Sequence, residues 1–133
     1  MRSLIQADLE KRVVGIVNEE RRKAGLSRLT AQAQLAQAAR AYSTDMATRN
    51  FFSHYSPEGS TVADRVALTG YPFAVVGENI AWGQKDARQV MNAWMNSRGH
   101  RANILSVHYT EIGVGVAADK KGNLVWTQNF GSC

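Results

Sequence analysis

Two short β-prone runs near the C-terminus, Ile112 to Ala118 and Leu124 to Phe130, are separated only by Asp119-Lys120-Lys121-Gly122-Asn123. Polar residues around a glycine are turn chemistry, so the pair is expected to fold back as an antiparallel hairpin. Most of the chain before it follows a helical period. From about Leu4 to Ala24, the residues Leu9, Val13, Ile16, Val17 and Ala24 recur on one stripe, Glu10, Arg12, Glu19 and Arg22 lie largely elsewhere, and Gly25 ends the run. A second, alanine-rich helix is expected from about Ala31 to Arg49, with Leu35, Ala38, Ala39, Tyr42 and Met46 inward. Ser60 or Thr61 can cap a short third helix through Leu68. After the moderately apolar segment Phe73 to Trp82, Asp86 caps a fourth helix bearing Ala87, Val90, Met91 and Trp94 until Gly99 breaks it. A polar loop, Ser97 to Tyr109, precedes the hairpin. Helices first and a hairpin last imply an α+β fold in which helices cover an antiparallel sheet.

No repeat, low-complexity tract or linker divides the chain, and a single domain over residues 1–133 is expected. A domain of this length buries enough surface to fold without a metal or disulfides, so any metal would be functional rather than structural. Aliphatic stretches such as Val13-Val14-Gly15-Ile16-Val17 fall far short of a membrane span, which excludes a transmembrane protein. The N-terminus has no apolar signal core, and Arg2, Lys11 and Arg12 are interspersed with acids, so either the chain stays inside the cell or a leader has been removed. The one cysteine, Cys133, has no partner in the chain; no internal disulfide is possible, and a monomer is expected. The formal charge of +5 permits attraction to anionic polymers or headgroups. The densest basic cluster, Arg21-Arg22-Lys23, follows Glu19-Glu20 and is read as a solvated helix face. No nucleic-acid motif is present, and Trp82, Trp94 and Trp126 are read as core anchors.

The three histidines, His54, His100 and His108, all fall in expected loops, which favours a cleft role over core packing. Two imidazoles and a carboxylate or water can complete a zinc site, although no His-Glu-x-x-His or Cys-x-x-Cys pair supports one by spacing. Glu78, in Gly77-Glu78-Asn79-Ile80-Ala81, places an acid in an otherwise apolar strand-like run. A carboxylate there is either a structural acid satisfied by backbone donors or a site acid, and the residues alone leave both open. Ser97 and His100 stand three residues apart without a nucleophile-elbow setting, so serine catalysis is not expected.

Taken in order, several segments resemble the CAP superfamily (cysteine-rich secretory proteins, antigen 5 and pathogenesis-related 1), also called the SCP domain, in its compact bacterial form. They are Val17-Asn18-Glu19-Glu20-Arg21 with Gly25-Leu26 and Leu29; Phe52-Ser53-His54; Gly77-Glu78-Asn79-Ile80-Ala81; Trp94 with Ser97-Arg98-Gly99-His100-Arg101-Ala102-Asn103-Ile104-Leu105; and His108-Tyr109-Thr110-Glu111-Ile112-Gly113-Val114-Gly115. The resemblance implies a three-layer α-β-α sandwich with a central antiparallel sheet and a groove carrying two histidines and two acids. By motif, His54, Glu78 and His108 match three of these positions. Ser97 stands where many eukaryotic members have the second acid, and Glu111 is a substitute for it or a support for the loop. His54 and His108 would then hold a divalent cation such as zinc, not required for folding, with Glu78 orienting a ring or a water. His100 is assigned a loop-stabilising role, its ring bonding backbone near Asn103.

The functional expectation is a secreted or envelope-located binding module, its ligand unidentified and of lipid or anionic cell-wall polymer type. One alternative is a metal-assisted hydrolase with Glu78 as general base. The other is a purely structural scaffold.

Overall fold

Helix α1 (Leu4–Lys23) opens on a capping box in which the Ser3 hydroxyl accepts from the Gln6 N–H and the Gln6 side chain accepts from the Ser3 N–H. In this computed structural model residues 3–133 are described; Met1 and Arg2, part of the charge read at the N-terminus, lie outside them. After Gly25, in the left-handed region at φ 76°, come β1 (Thr30–Ala31), α2 (Ala33–Arg49), α3 (Val62–Ala67), β2 (Val75–Trp82), α4 (Ala87–Met95), α5 (Arg98–Ile104), β3 (Glu111–Ala118) and β4 (Leu124–Ser132). Thr61 and Asp86 cap α3 and α4. No helix of the described residues is long and apolar enough to cross a membrane.

The strands form one sheet in the order β1-β3-β4-β2. The hairpin β3–β4 and the pair β2–β4 are antiparallel, while β1 adds two residues parallel to β3, so the sheet is mixed at that edge. Alternation along the strands sends side chains to opposite layers. Ile112, Val114, Val116, Trp126 and Phe130 meet Val13, Val17, Met91, Trp94 and Ile104 from α1, α4 and α5. Ile80, Ala117 and Val125 meet Tyr42 and Met46 from α2.

On this second side α2 lies directly against β3. A Cβ built on Gly113 or Gly115 would stand 2.0 and 2.2 Å from the backbone nitrogens of Ala36 and Arg40 respectively, so only glycine permits the approach. The Ser43 hydroxyl pins the contact by donating to the Gly115 carbonyl at 2.9 Å, and lies 2.7 Å from the Thr127 hydroxyl.

Three expectations need correction. The segment Ser97 to Tyr109, read as a polar loop after a helix broken at Gly99, contains α5, with Gly99 and His100 inside it. Ile104 is fully buried there, and such packing outweighs the ~1 kcal/mol cost of a helical glycine. The basic cluster is not wholly solvated: Arg21 is 2% exposed and donates to the carbonyls of Ser27, Ile104 and Ser106. Glu10, read as lying off the inner stripe, is also buried; it accepts from the Val116 N–H and pairs with Arg40. A buried charge needs such partners, and both residues have them.

Candidate functional site

Strand β2 is an edge strand, with β4 on one side only, and this lets the two helical layers meet around it. Glu78 and Ile80 point to the α2 side, while Asn79 and Ala81 point to the α5 side. Its free carbonyls are taken by side chains: Asn103 Nδ2 donates to Glu78 O at 3.3 Å, and Trp94 Nε1 to Ile80 O at 3.1 Å. Asn103 Nδ2 also donates to Asn79 Oδ1, and Asn79 Nδ2 donates to Gln128 Oε1 and to the His100 carbonyl. These amide and carbonyl contacts fix α5, and with it the backbone of His100, against the strand.

His54 arrives from the other layer. Helix α2 ends at Asn50, whose left-handed φ of 56° turns the chain into the Phe51–Tyr55 loop. Tyr42 on α2 donates its hydroxyl to the Ser53 carbonyl at 2.5 Å, and Arg65 on α3 donates to the His54 carbonyl at 3.2 Å. The loop is thus held on both flanks of the histidine.

Glu78 is the centre of the arrangement. Its side chain is 2% exposed, with Oε1 2.9 Å from His54 Nδ1 and Oε2 2.8 Å from Arg65 Nη2. An ionised carboxylate only accepts, so Nδ1 of His54 carries a proton and Nε2 is left as the free nitrogen. The Arg65 guanidinium sits 3.5 Å over the Tyr42 ring and also donates to Ser60, so the counter-ion of Glu78 is itself immobilised. Burial of Tyr42 pushes its phenol up to about 12, with Arg65 opposing the rise.

A cavity of about 280 Å³ opens above Ile80, lined by Phe52, Ser53, His54, Tyr55 and His100. The ring facing the His54 side of this space is that of His100, whose proton affinity is lowered first by burial and then by the charge of His54. His100 is therefore a cavity residue carried on a helix; the bond that anchors it uses its backbone carbonyl rather than its ring.

The expected site residues separate as follows. His54 and Glu78 are brought together. His108 is exposed in the loop before β3, does not line the cavity, and is tied by its backbone to Ser106 and Ser132. Ser97 is the N-cap residue of α5 and makes no side-chain capping bond. Glu111 accepts the Tyr71 hydroxyl and so supports the segment leading into β2. No group of three or more His, Cys, Asp or Glu arranged to hold a metal occurs among the described residues. Arg65 was not singled out from sequence; the signal available was the need of a buried Glu78 for a cation.

The sequence profile of the CAP family, described as the cysteine-rich secretory protein family, matches residues 14–130. The uncharacterized protein YkwD of Bacillus subtilis is 45% identical over 121 residues, which are 91% of this chain and 46% of that protein. A crystal structure of an extracellular protein containing a SCP domain from Bacillus anthracis superposes with a TM-score of 0.91 at 34% identity, covering 97% of this chain and 42% of that one. An outer surface protein from Borrelia burgdorferi superposes with a TM-score of 0.86 at 23% identity over 92% of this chain and 90% of that one, a likeness of fold. The chain spans less than half the length of the first two.

Proposed function

The chain belongs to the CAP family of cysteine-rich secretory proteins, and on that footing we propose that it is an extracellular or envelope-located binding module whose His54–His100 cavity takes up a divalent cation such as zinc, weakly and reversibly. The observation that carries the reading is the Glu78–His54 bond beside a second imidazole: the carboxylate orients the ring from behind and leaves Nε2 for the cavity. A ligating imidazole must be neutral, and the lowered proton affinity of His100 keeps it so. Two histidines supply half of a tetrahedral shell, so the remaining positions fall to water or to an anionic group of the ligand, and a bound cation would act there as a Lewis acid.

The donor set thus fits an open site and not a closed structural one. Glu78 has both oxygens engaged, by His54 and Arg65, which supports an orienting role over the abstraction of a proton and so favours binding over the hydrolase reading. The extracellular setting rests on the description of the Bacillus anthracis relative.

The test is zinc titration by calorimetry with thermal unfolding in parallel. His54→Ala and His100→Ala should each abolish uptake, His108→Ala should leave it intact, and chelation should leave the domain folded. Uptake that survives the His54→Ala, His100→Ala double substitution would place the cation elsewhere. Uptake lost in His108→Ala alone would return the site to the pairing implied by the sequence resemblance.

A further inference from the structure

Phe52 and Trp82 form an edge-to-face pair, ring centroids 6.0 Å apart at 86°, and this pair is the wall between two hollows. On one side lies the histidine cavity, with Tyr55 on its rim. On the other lies a hollow of about 310 Å³ bounded by Asn50, Trp82, Asn123 and the hairpin-tip lysines Lys120 and Lys121. Tyr55 is 64% exposed and Phe52 51% exposed, although both stand on a loop clamped by Tyr42 and Arg65. Rigidly presented aromatic rings left in water mark a contact surface rather than a packing remainder. Asp119 also lines this hollow; its carboxylate accepts from the N–H groups of Lys121 and Asn123 and keeps its negative charge, so the two exposed ammonium groups leave the second hollow with a net positive charge of one.

We propose that this strip binds a glycan chain bearing acidic substituents, with sugar rings stacked on Tyr55 and the Phe52–Trp82 wall and the anionic groups at Lys120 and Lys121. The proposal rests on the preceding reading only in taking the cavity as a binding surface; it requires no metal. A pyranose presents C–H groups on its face, which suit aromatic rings, and hydroxyls on its rim, which suit Asn50, Ser53 and Asn123. An acyl chain needs an enclosed apolar channel, and these hollows are small and open. An extended peptide would pair with the edge of β2, but the Glu78 and Ile80 carbonyls are already occupied by Asn103 and Trp94. A single-stranded nucleic acid needs a basic track along its phosphates, which two lysines do not make.

The experiment titrates the domain, in excess chelator, with a short hyaluronan oligosaccharide, in which acetamido sugars alternate with glucuronate, and with chitohexaose, its uncharged counterpart. Tryptophan fluorescence and amide chemical shifts report binding. Tyr55→Ala and Phe52→Ala should each weaken both probes, roughly tenfold. The double substitution Lys120→Ala, Lys121→Ala should weaken hyaluronan alone, as should added salt. Absence of binding by hyaluronan at millimolar concentration, ring substitutions without effect, or tighter binding of an oligothymidylate than of hyaluronan would each overturn the proposal. Should Tyr55→Ala unfold, Tyr55→Leu keeps the bulk while removing the ring. With chelator present throughout, failure of zinc uptake leaves this readout intact, and loss of glycan binding leaves the zinc titration intact.

Discussion

Gly115→Ala should cost the domain a large part of its stability. The added methyl would lie 2.2 Å from the Arg40 nitrogen and 2.4 Å from both the Ala39 carbonyl carbon and the Arg40 Cα. These are backbone atoms of α2, so no rotamer change relieves the contact; the helix as a whole must lift by about 1 Å to reach ordinary van der Waals separation. Overpacking of this kind costs about 3 kcal/mol. The same displacement stretches the bond from the Ser43 hydroxyl to the Gly115 carbonyl, worth about 1 kcal/mol. The sum is a sizeable part of the roughly 5–15 kcal/mol typical of a domain. A fall in Tm of roughly 10 °C follows for a chain of this size. Circular dichroism melts with urea titration measure both quantities. The internal control is Gly15→Ala, on a helix position where a Cβ meets nothing within 4 Å, which should stabilise by about 0.5–1 kcal/mol. A Gly115→Ala protein that melts within about two degrees of the parent would refute the idea that α2 rests on β3 backbone to backbone.

Arg65→Met should destabilise by about 3 kcal/mol in urea titration, because it leaves the Glu78 carboxylate buried beside an imidazole alone; adding Glu78→Gln should recover part of the loss, and no recovery would show that Arg65 acts through packing. His100, with a proton affinity lowered in the fold, is protonated more readily when unfolded, so stability in chelator should fall as pH drops below about 6.5, less steeply in His100→Asn. Equal slopes would remove His100 from that limb. Tyr42, raised to about 12, holds its proton in the fold while the unfolded chain loses it above the ordinary value, so its contribution is complete below pH 10 and is lost as pH rises toward 12. Tyr42→Phe should flatten that limb in alkaline melts, and at neutral pH should cost about 1 kcal/mol for the bond to Ser53.

Where the sequence was legible, one element carried its own signal. The stripe of Leu35, Ala38, Ala39, Tyr42 and Met46 announces α2, and the polar turn at Asp119–Asn123 announces the hairpin. The failures are tertiary. Nothing local in Arg98–Ile104 outweighs a glycine; the segment is helical because Ile104 is buried and Asn103 binds the Gly-Glu-Asn strand. Strand β1 is two residues long, too short to show a period. In the site, Glu78 could be found because an acid in an apolar strand is an anomaly, and His54 because it falls in a loop and within the Phe52-Ser53-His54 segment that carries the family resemblance. The choice between His100 and His108 depended on which one a distant Asn79 holds by its carbonyl, and that is a property of the folded chain alone.

The order of the strands in space also bears on when the chain can fold. The strand β4, last of the four in sequence, lies between β3 and β2 and is, among the described residues, the one strand paired with β2. Until β4 has been synthesised, β2 has nothing to pair with, the Glu78 strand has no fixed place, and the half of the sheet that carries the cavity does not exist. Such long-range closure slows folding and makes it a late, concerted event. Up to that point only local elements such as α1 and α2 have the contacts they need, and His54, Glu78 and His100 stay unassembled until the β2–β4 pairing draws them together.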